Sequence, residues 1–271
     1  MSVDGPYAVG EDGRVVARRS DSWEIVVEDG PGGAANRLST AAVTDDGRHV
    51  WFAGSSGAIS KRDVPGGEGT DHSAPKQKTS SWEDIAVVGA SGRERIHLIN
   101  GSGELLSGAN RGGEIEWGDV VKPAGGVDPT AIGFTNGAGF VSDTNGSVYR
   151  TTDEKEWERI GIPEEDGTIN DVAPLDSRTA DVVTGTGTIF TYNGSNWIRL
   201  DASQHGLRTI DREADRGFAV GTSGTIYELD DADWSEQSTS TSRTLYGTAL
   251  GTSDYAGVAV GANGTILERF R

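Results

Sequence analysis

Cysteine is absent from this 271-residue chain, methionine occurs once, and lysine is scarce, with five residues against 19 arginines. Without cysteine no disulfide framework can form, and a structural zinc site loses its commonest ligands. No apolar run approaches the ~18 residues of a membrane-spanning helix. The opening MSVDGPYAVG has neither the basic nor the apolar region of a secretion signal, so a cytoplasmic location and no membrane insertion are expected. Positive charge is in deficit throughout. Lys and Arg number 24 against 42 Asp and Glu, a formal charge of −18. Such a surface repels polyanions, which argues against nucleic acid as a partner.

Glycine is plentiful, with 40 residues, about twice the usual share of roughly 7 %. Much of it marks a repeat. A short apolar run, a small residue, two polar residues, glycine and a second apolar run recur seven times. The copies are AVGEDGRVV (8–16), FAGSSGAIS (52–60), LINGSGELL (98–106), VSDTNGSVY (141–149), VVTGTGTIF (182–190), AVGTSGTIY (219–227) and AVGANGTIL (259–267). Their shared glycines are Gly13, Gly57, Gly103, Gly146, Gly187, Gly224 and Gly264, spaced 44, 46, 43, 41, 37 and 40 residues apart.

Each copy predicts a β-hairpin. Asp12-Gly13, Asn145-Gly146 and Asn263-Gly264 are pairs that tolerate positive φ in tight turns. The residue three before the glycine is Gly, Asn or Asp in six copies and Thr184 in the fifth, again a choice suited to unusual dihedrals. Adjacent apolar residues after the turn, such as Ile189-Phe190 and Ile226-Tyr227, point to opposite faces of a strand, so both faces of each sheet are buried.

A tryptophan follows most turns: Trp23, Trp117, Trp157, Trp197 and Trp234, with Trp82 assigned to the same series behind a loop insertion at about 65–80. A further strand precedes every turn but the first. Four strands per ~40 residues, repeated, predict an all-β, seven-bladed β-propeller with four-stranded antiparallel blades. The chain starts too late for a full first blade and stops too early for a full last one. Incomplete first and last blades within a single domain, 1–271, are therefore expected, with residues 1–6 available to pair where the ring closes.

The repeat resembles the BNR/Asp-box-like propellers of the photosystem II stability and assembly factor-like group, within the WD/YVTN/BNR-like superfamily. An Asp box has the form Ser-x-Asp-x-Gly-x-Thr-Trp. TTDEKEW (151–157) keeps Thr152, Asp153 and Trp157, and YNGSNW (192–197) keeps Gly194 and Trp197. The resemblance implies a binding platform or assembly factor, with sialidases as hydrolytic relatives. The acidic, lysine-poor composition is similar to that of haloarchaeal cytoplasmic proteins. At about 1 M salt the Debye length is only ~3 Å, so the charge reads as solvent adaptation.

Candidate chemistry is thin. The Gly-x-x-Gly turns join strand to strand and lack the helix that a phosphate loop needs. Asp230, Asp231 and Asp233, or Asp143 to Gly146, do not complete a calcium loop. His49, His72, His97 and His205 share no metal-ligand spacing, and no arginine recurs at one inner position as a sialidase site would require. No catalytic residue, metal or cofactor is assigned. The insertion PGGEGTDHSAPKQKTS (65–80) supplies the candidate interaction residues Asp71, His72, Lys76 and Lys78. The expected function is a non-enzymatic protein-interaction scaffold in a high-salt cytoplasm. A sialidase-like or lyase-type enzyme at the central channel, and a subunit of a larger cellular or viral assembly, are the alternatives.

Overall fold

The computed structural model describes residues 1–125, 128–162, 167–231 and 233–270. The fold is a seven-bladed β-propeller of antiparallel sheets. Blade one has three strands, Tyr7–Val9, Val15–Arg19 and Ser22–Val27. Blade two has four, Leu38–Val43, His49–Gly54, Ile59–Asp63 and Gly69–Asp71, as does blade three, Trp82–Val88, Arg95–Asn100, Leu105–Arg111 and Glu114–Val121. Blade four comprises Pro129–Thr135, Ala138–Asp143, Val148–Thr151 and Glu158–Arg159. Blades five and six run Ile169–Pro174, Ala180–Thr184, Thr188–Tyr192, Trp197–Asp201 and then Leu207–Arg212, Arg216–Gly221, Ile226–Asp230, Asp233–Glu236. Blade seven ends the chain with Leu245–Ala249, Gly257–Gly261 and Thr265–Arg269. The first blade thus lacks its first strand and the last blade its fourth. Two compact units divide after Phe134.

In the first unit the core gathers Trp51, Ile59, Trp82, Ile85, Ile96 and Leu98, all buried. In the second, Val183, Ile189, Leu207, Ile210 and Ala219 play the same part. Trp82 corrects one expectation. It heads the first strand of blade three, where Leu38, Ile169, Leu207 and Leu245 stand in other blades, and all five are buried. The fourth strand of blade two is instead Gly69–Asp71, inside the stretch expected to be loop. Its backbone pairs Thr70 with Lys61 and Asp71 with Ser60, which needs no apolar side chain.

The seven turns fold in two ways. In blades one, two, six and seven the residue three before the glycine is itself glycine, and two successive residues take left-handed φ: Asp12 at 58° and Gly13 at 70°, Ser56 at 58° and Gly57 at 72°, Ser223 at 58° and Gly224 at 75°, Asn263 at 56° and Gly264 at 70°. In blades three, four and five that earlier residue is Asn100, Asp143 or Thr184, and its side chain closes the turn. Asn100 Oδ1 accepts the N–H of Ser102 at 3.0 Å, Asp143 Oδ1 that of Asn145 at 2.8 Å, and Thr184 Oγ1 that of Thr188 at 3.1 Å. Asn145 consequently stays out of the left-handed region, and only Gly146 enters it.

Gly54 and Gly221 are extended, so their smallness serves packing rather than φ. A Cβ on Gly54 would lie 2.0 Å from the Arg37 carbonyl oxygen, and one on Gly221 2.0 Å from that of Gly206. Those same carbonyls accept the next N–H of each turn, from Ser55 and Thr222, both at 2.9 Å.

Candidate interaction face

The first strand of a blade carries a recurrent bulge. Register shifts lie between Leu38 and Thr40, Trp82 and Asp84, Ile169 and Asp171, Leu207 and Thr209, and Leu245 and Gly247. A bulge leaves one residue unmatched and re-aims its side chain. The unmatched residues are Ser39, Glu83, Asn170, Arg208 and Tyr246. Beside them, acidic residues tie neighbouring first strands together. Asp84 accepts the Thr40 hydroxyl at 2.7 Å and the N–H groups of Ile85 and Ile132 at 2.8 and 2.9 Å. Asp171 accepts the Thr209 hydroxyl at 2.7 Å and the Ile210 N–H at 2.9 Å, and Asp211 accepts the Leu250 N–H at 2.7 Å. Burial pushes the carboxyl of Asp84 up to about 6 and raises that of Asp211 as well. Asp84 and Asp171 make these links beside the bulges, whereas Asp211 ties blades six and seven toward the other end of their first strands.

The four residues singled out in blade two are held by the protein itself. Lys78 Nζ bonds both carboxylate oxygens of Glu104 at 2.9 Å, and Lys76 Nζ reaches Asp119 Oδ1 at 3.3 Å. His72 packs its ring 5.0 Å from that of Trp51, and burial lowers its basicity. Asp71 accepts the N–H of Ser73 at 2.8 Å, and Ser73 in turn bonds the backbone of Ile59. The structure therefore places Asp71, His72, Lys76 and Lys78 along one stretch, with both lysine charges matched by carboxylates.

Other ionisable clusters act as pins. His49 Nδ1 lies 3.0 Å from Glu94 Oε1, which also accepts Asn110 Nδ2 at 3.2 Å, and Glu94 is fully buried. His97 stacks on Phe134 with centroids 3.6 Å apart and its Nδ1 lies 2.8 Å from the Ser107 hydroxyl; burial pushes the imidazole down to about 3. In the second unit Arg212 Nε donates to the buried Asp181 at 2.8 Å. Among the described residues no group of three or more His, Asp or Glu is arranged to hold a metal ion. Asp143 closes its turn, and Asp230, Asp231 and Asp233 lie at the far end of blade six.

Carboxylates of the second unit lie at both ends of its strands. Strands alternate in direction, so the second-to-third-strand turns and the connections between blades emerge at one end. Hydrogen bonds join them there: Ser203 N–H to the Gly187 carbonyl, Thr222 N–H to Gly206, and the Thr239 hydroxyl to Gly224, each at 2.9 Å. At this end the connections 202–206 (ASQHG) and 237–244 (QSTSTSRT) and the turns 185–187, 222–224 and 262–264 hold no carboxylate, but the strand ends that meet them carry Asp171 and the exposed Asp201 and Glu236. Asp176, Glu213, Asp215, Asp230, Asp231, Asp233 and Asp254 all belong to turns of the opposite end. Glu164, Glu165 and Asp166, in the connection before blade five, lie outside the described residues.

Two cations stand on this end. Arg208, at the bulge of blade six, and Arg243, two residues before blade seven, are exposed, and no carboxylate of the described residues lies within ion-pair distance of either. Tyr246, at the bulge of blade seven, is 61 % exposed. Sequence reasoning missed these three; the acid-free QSTSTSRT segment was the signal that could have found them.

No protein-family model matches the chain, and no curated protein matches it. Its fold is shared by many solved structures. YCF48 bound to D1 peptide is 14 % identical with a TM-score of 0.73, over 98 % of this chain and 87 % of that one. A catalytically inactive virginiamycin B lyase from Staphylococcus aureus with quinupristin is 14 % identical with a TM-score of 0.66, over 86 % and 83 %. A chain of a mitotic checkpoint complex is 10 % identical with a TM-score of 0.75, over 98 % and 86 %. At these identities the likeness establishes the seven-bladed propeller fold and nothing of the chemistry.

Proposed function

We propose that this protein is a non-enzymatic interaction scaffold, a single 1–271 propeller of the BNR/Asp-box-like kind working in a salt-rich cytoplasm. The observation that carries the reading is the hydrogen-bonded end of blades five to seven, which presents the exposed Arg208, Arg243 and Tyr246. A preformed surface of this kind loses little conformational freedom when a partner docks. Propellers solved bound to a peptide, as YCF48 with D1 peptide, or within a checkpoint complex support the same use of the fold. The likeness to a lyase is one of fold, which leaves activity open.

Affinity capture from lysate at native salt, using the full chain and an Arg208→Ala/Arg243→Ala/Tyr246→Ala variant, tests the reading. Partners held by the parent protein and lost by the folded triple variant support it. An identical set of captured proteins from both would remove this end from consideration as the interaction surface.

A further inference from the structure

We propose that the outer edge of blade five pairs with the same edge of a second copy of this chain, strand Trp197–Asp201 running antiparallel to its counterpart about a two-fold axis at Leu200. The proposal goes beyond the scaffold reading and involves none of Arg208, Arg243 and Tyr246.

The fourth strand of a blade lies at the edge of its sheet and offers a row of N–H and C=O groups to any chain that approaches. Proteins blunt such edges by keeping them short or by charging them. Among the described residues most fourth strands follow that rule. Gly69–Asp71 and Glu158–Arg159 have three and two residues. Glu114–Val121, Asp233–Glu236 and the outer strand of blade one, Ser22–Val27, carry acids and no base. Trp197–Asp201 departs from it. It has five residues, one base and one acid, and Ile198 and Leu200, which share one face, are 57 % and 41 % exposed.

The hairpin fixes which groups face outward. Asn193 N–H donates to the Asn196 carbonyl at 3.1 Å, and hydrogen bonding alternates along the pair from there. Ile198 and Leu200 thus bond inward to Thr188–Tyr192, and the backbone groups of Trp197, Arg199 and Asp201 point to the edge. An antiparallel copy must bond through those three residues. Two of the registers this permits set like charges opposite each other, Arg199 against Arg199 or Asp201 against Asp201. The register between them sets Arg199 against Asp201 on both sides of the axis. There the two Leu200 side chains meet at the axis, and each Ile198 lies on the diagonal.

The strand is fixed in place. Trp197 Nε1 donates to the Ile160 carbonyl at 2.7 Å, and the Arg199 guanidinium lies over the Phe190 ring at 5.5 Å. Arg199 Nε also bonds Asp201 Oδ1 at 2.7 Å, with the two side chains 51 % and 72 % exposed. A guanidinium has five N–H donors and a carboxylate about four acceptor sites, so this pair can be shared with its symmetry mate. A preformed edge loses little freedom on pairing. Contact over one short strand is small, so the dimer is transient. Each copy carries a formal charge of −18, which opposes association in dilute buffer. In molar KCl the Debye length is only ~3 Å, so net repulsion fades while charges in direct contact still count.

Sedimentation equilibrium of the full chain in molar KCl, from micromolar to near-millimolar concentration, tests the proposal. The parent should associate to a dimer. Arg199→Asp and Asp201→Arg should each weaken association by roughly tenfold or more, because like charges then face each other. A mixture of these two variants should associate again, since both facing pairs are then of opposite sign. The doubly swapped chain, Arg199→Asp/Asp201→Arg, should also regain the dimer. Ser235→Lys, on the outer strand of blade six, should leave it unchanged. Circular dichroism melts confirm that each variant folds. A parent that stays monomeric, single variants that associate like the parent, a mixture or double swap that stays monomeric, or loss of the dimer in Ser235→Lys would each overturn the proposal.

Discussion

The hydroxyl of Thr40 donates to the carboxylate of Asp84 at 2.7 Å, linking the first strand of blade two to the first strand of blade three. Asp84 also takes backbone N–H groups from its own strand and from Ile132 of the next blade. One carboxylate therefore joins three successive blades through short polar contacts at a position where the sheet register slips.

That carboxylate should leave a mark on stability against pH. Burial raises its pKa to about 6, above the unfolded value of 3.8. Between those values the native state holds a proton that the unfolded state has released, so this group's contribution is greatest below about pH 4 and declines as pH rises through 6. The change amounts to about 3 kcal/mol. Asp84→Asn removes the titration but puts an amide donor against N–H donors, at a cost of ~1–3 kcal/mol. Urea melts of both proteins from pH 4 to 7 measure it: the gap between them should shrink as pH rises. A gap independent of pH would show that Asp84 titrates normally.

Arg212 and Asp181 make the contrasting case, a buried pair whose partners are 12 % and 1 % exposed. Burial raises the pKa of Asp181, and Arg212 opposes that rise. Replacing Arg212 by Met strands the carboxylate in the interior and should cost about 3–5 kcal/mol. The double change Arg212→Met/Asp181→Val should recover most of that loss, because no lone charge remains. If denaturant melts show the double variant no better than the single one, packing rather than charge governs this site.

Charge also predicts a salt response. With 42 acidic against 24 basic residues, native-state repulsion is screened as ionic strength rises. The melting temperature should climb from dilute buffer to molar KCl, and equimolar sucrose should not reproduce the early part of that climb. Coincident melts in dilute and molar KCl would dismiss solvent adaptation as the meaning of the charge.

The blade count was legible because one glycine per repeat must take left-handed φ, a demand that sequence states directly. The side-chain-capped turns at Asn100, Asp143 and Thr184 were half legible: the residue type was visible, but its role as acceptor was not. Contacts between blades were harder. Lys76 and Lys78 look like free cations in an open loop, yet their partners Asp119 and Glu104 lie 43 and 26 residues further on. Trp82 follows a turn glycine as the other tryptophans do, and only strand pairing shows that it opens the next blade. The availability of Arg208 and Arg243 depends on what lies across neighbouring blades, and periodicity carries no such information.

The repeat offers its own control for the role of the small residue before each turn. Gly10, Gly54 and Gly221 occupy equivalent places, but blade one lacks the first strand that crowds the others. A Cβ on Gly10 would meet nothing within 4 Å, whereas one on Gly54 would lie 2.0 Å from the Arg37 oxygen. Both residues are extended, so backbone strain does not distinguish them. Gly54→Ala should therefore cost roughly 2 kcal/mol or more by displacing the Arg37 carbonyl from its bond to Ser55. Gly10→Ala should fall within about 0.5 kcal/mol of the parent. Parallel urea melts of the two variants make the comparison. Equal losses at both positions would mean that glycine is required there by the turn itself, independent of the neighbouring strand.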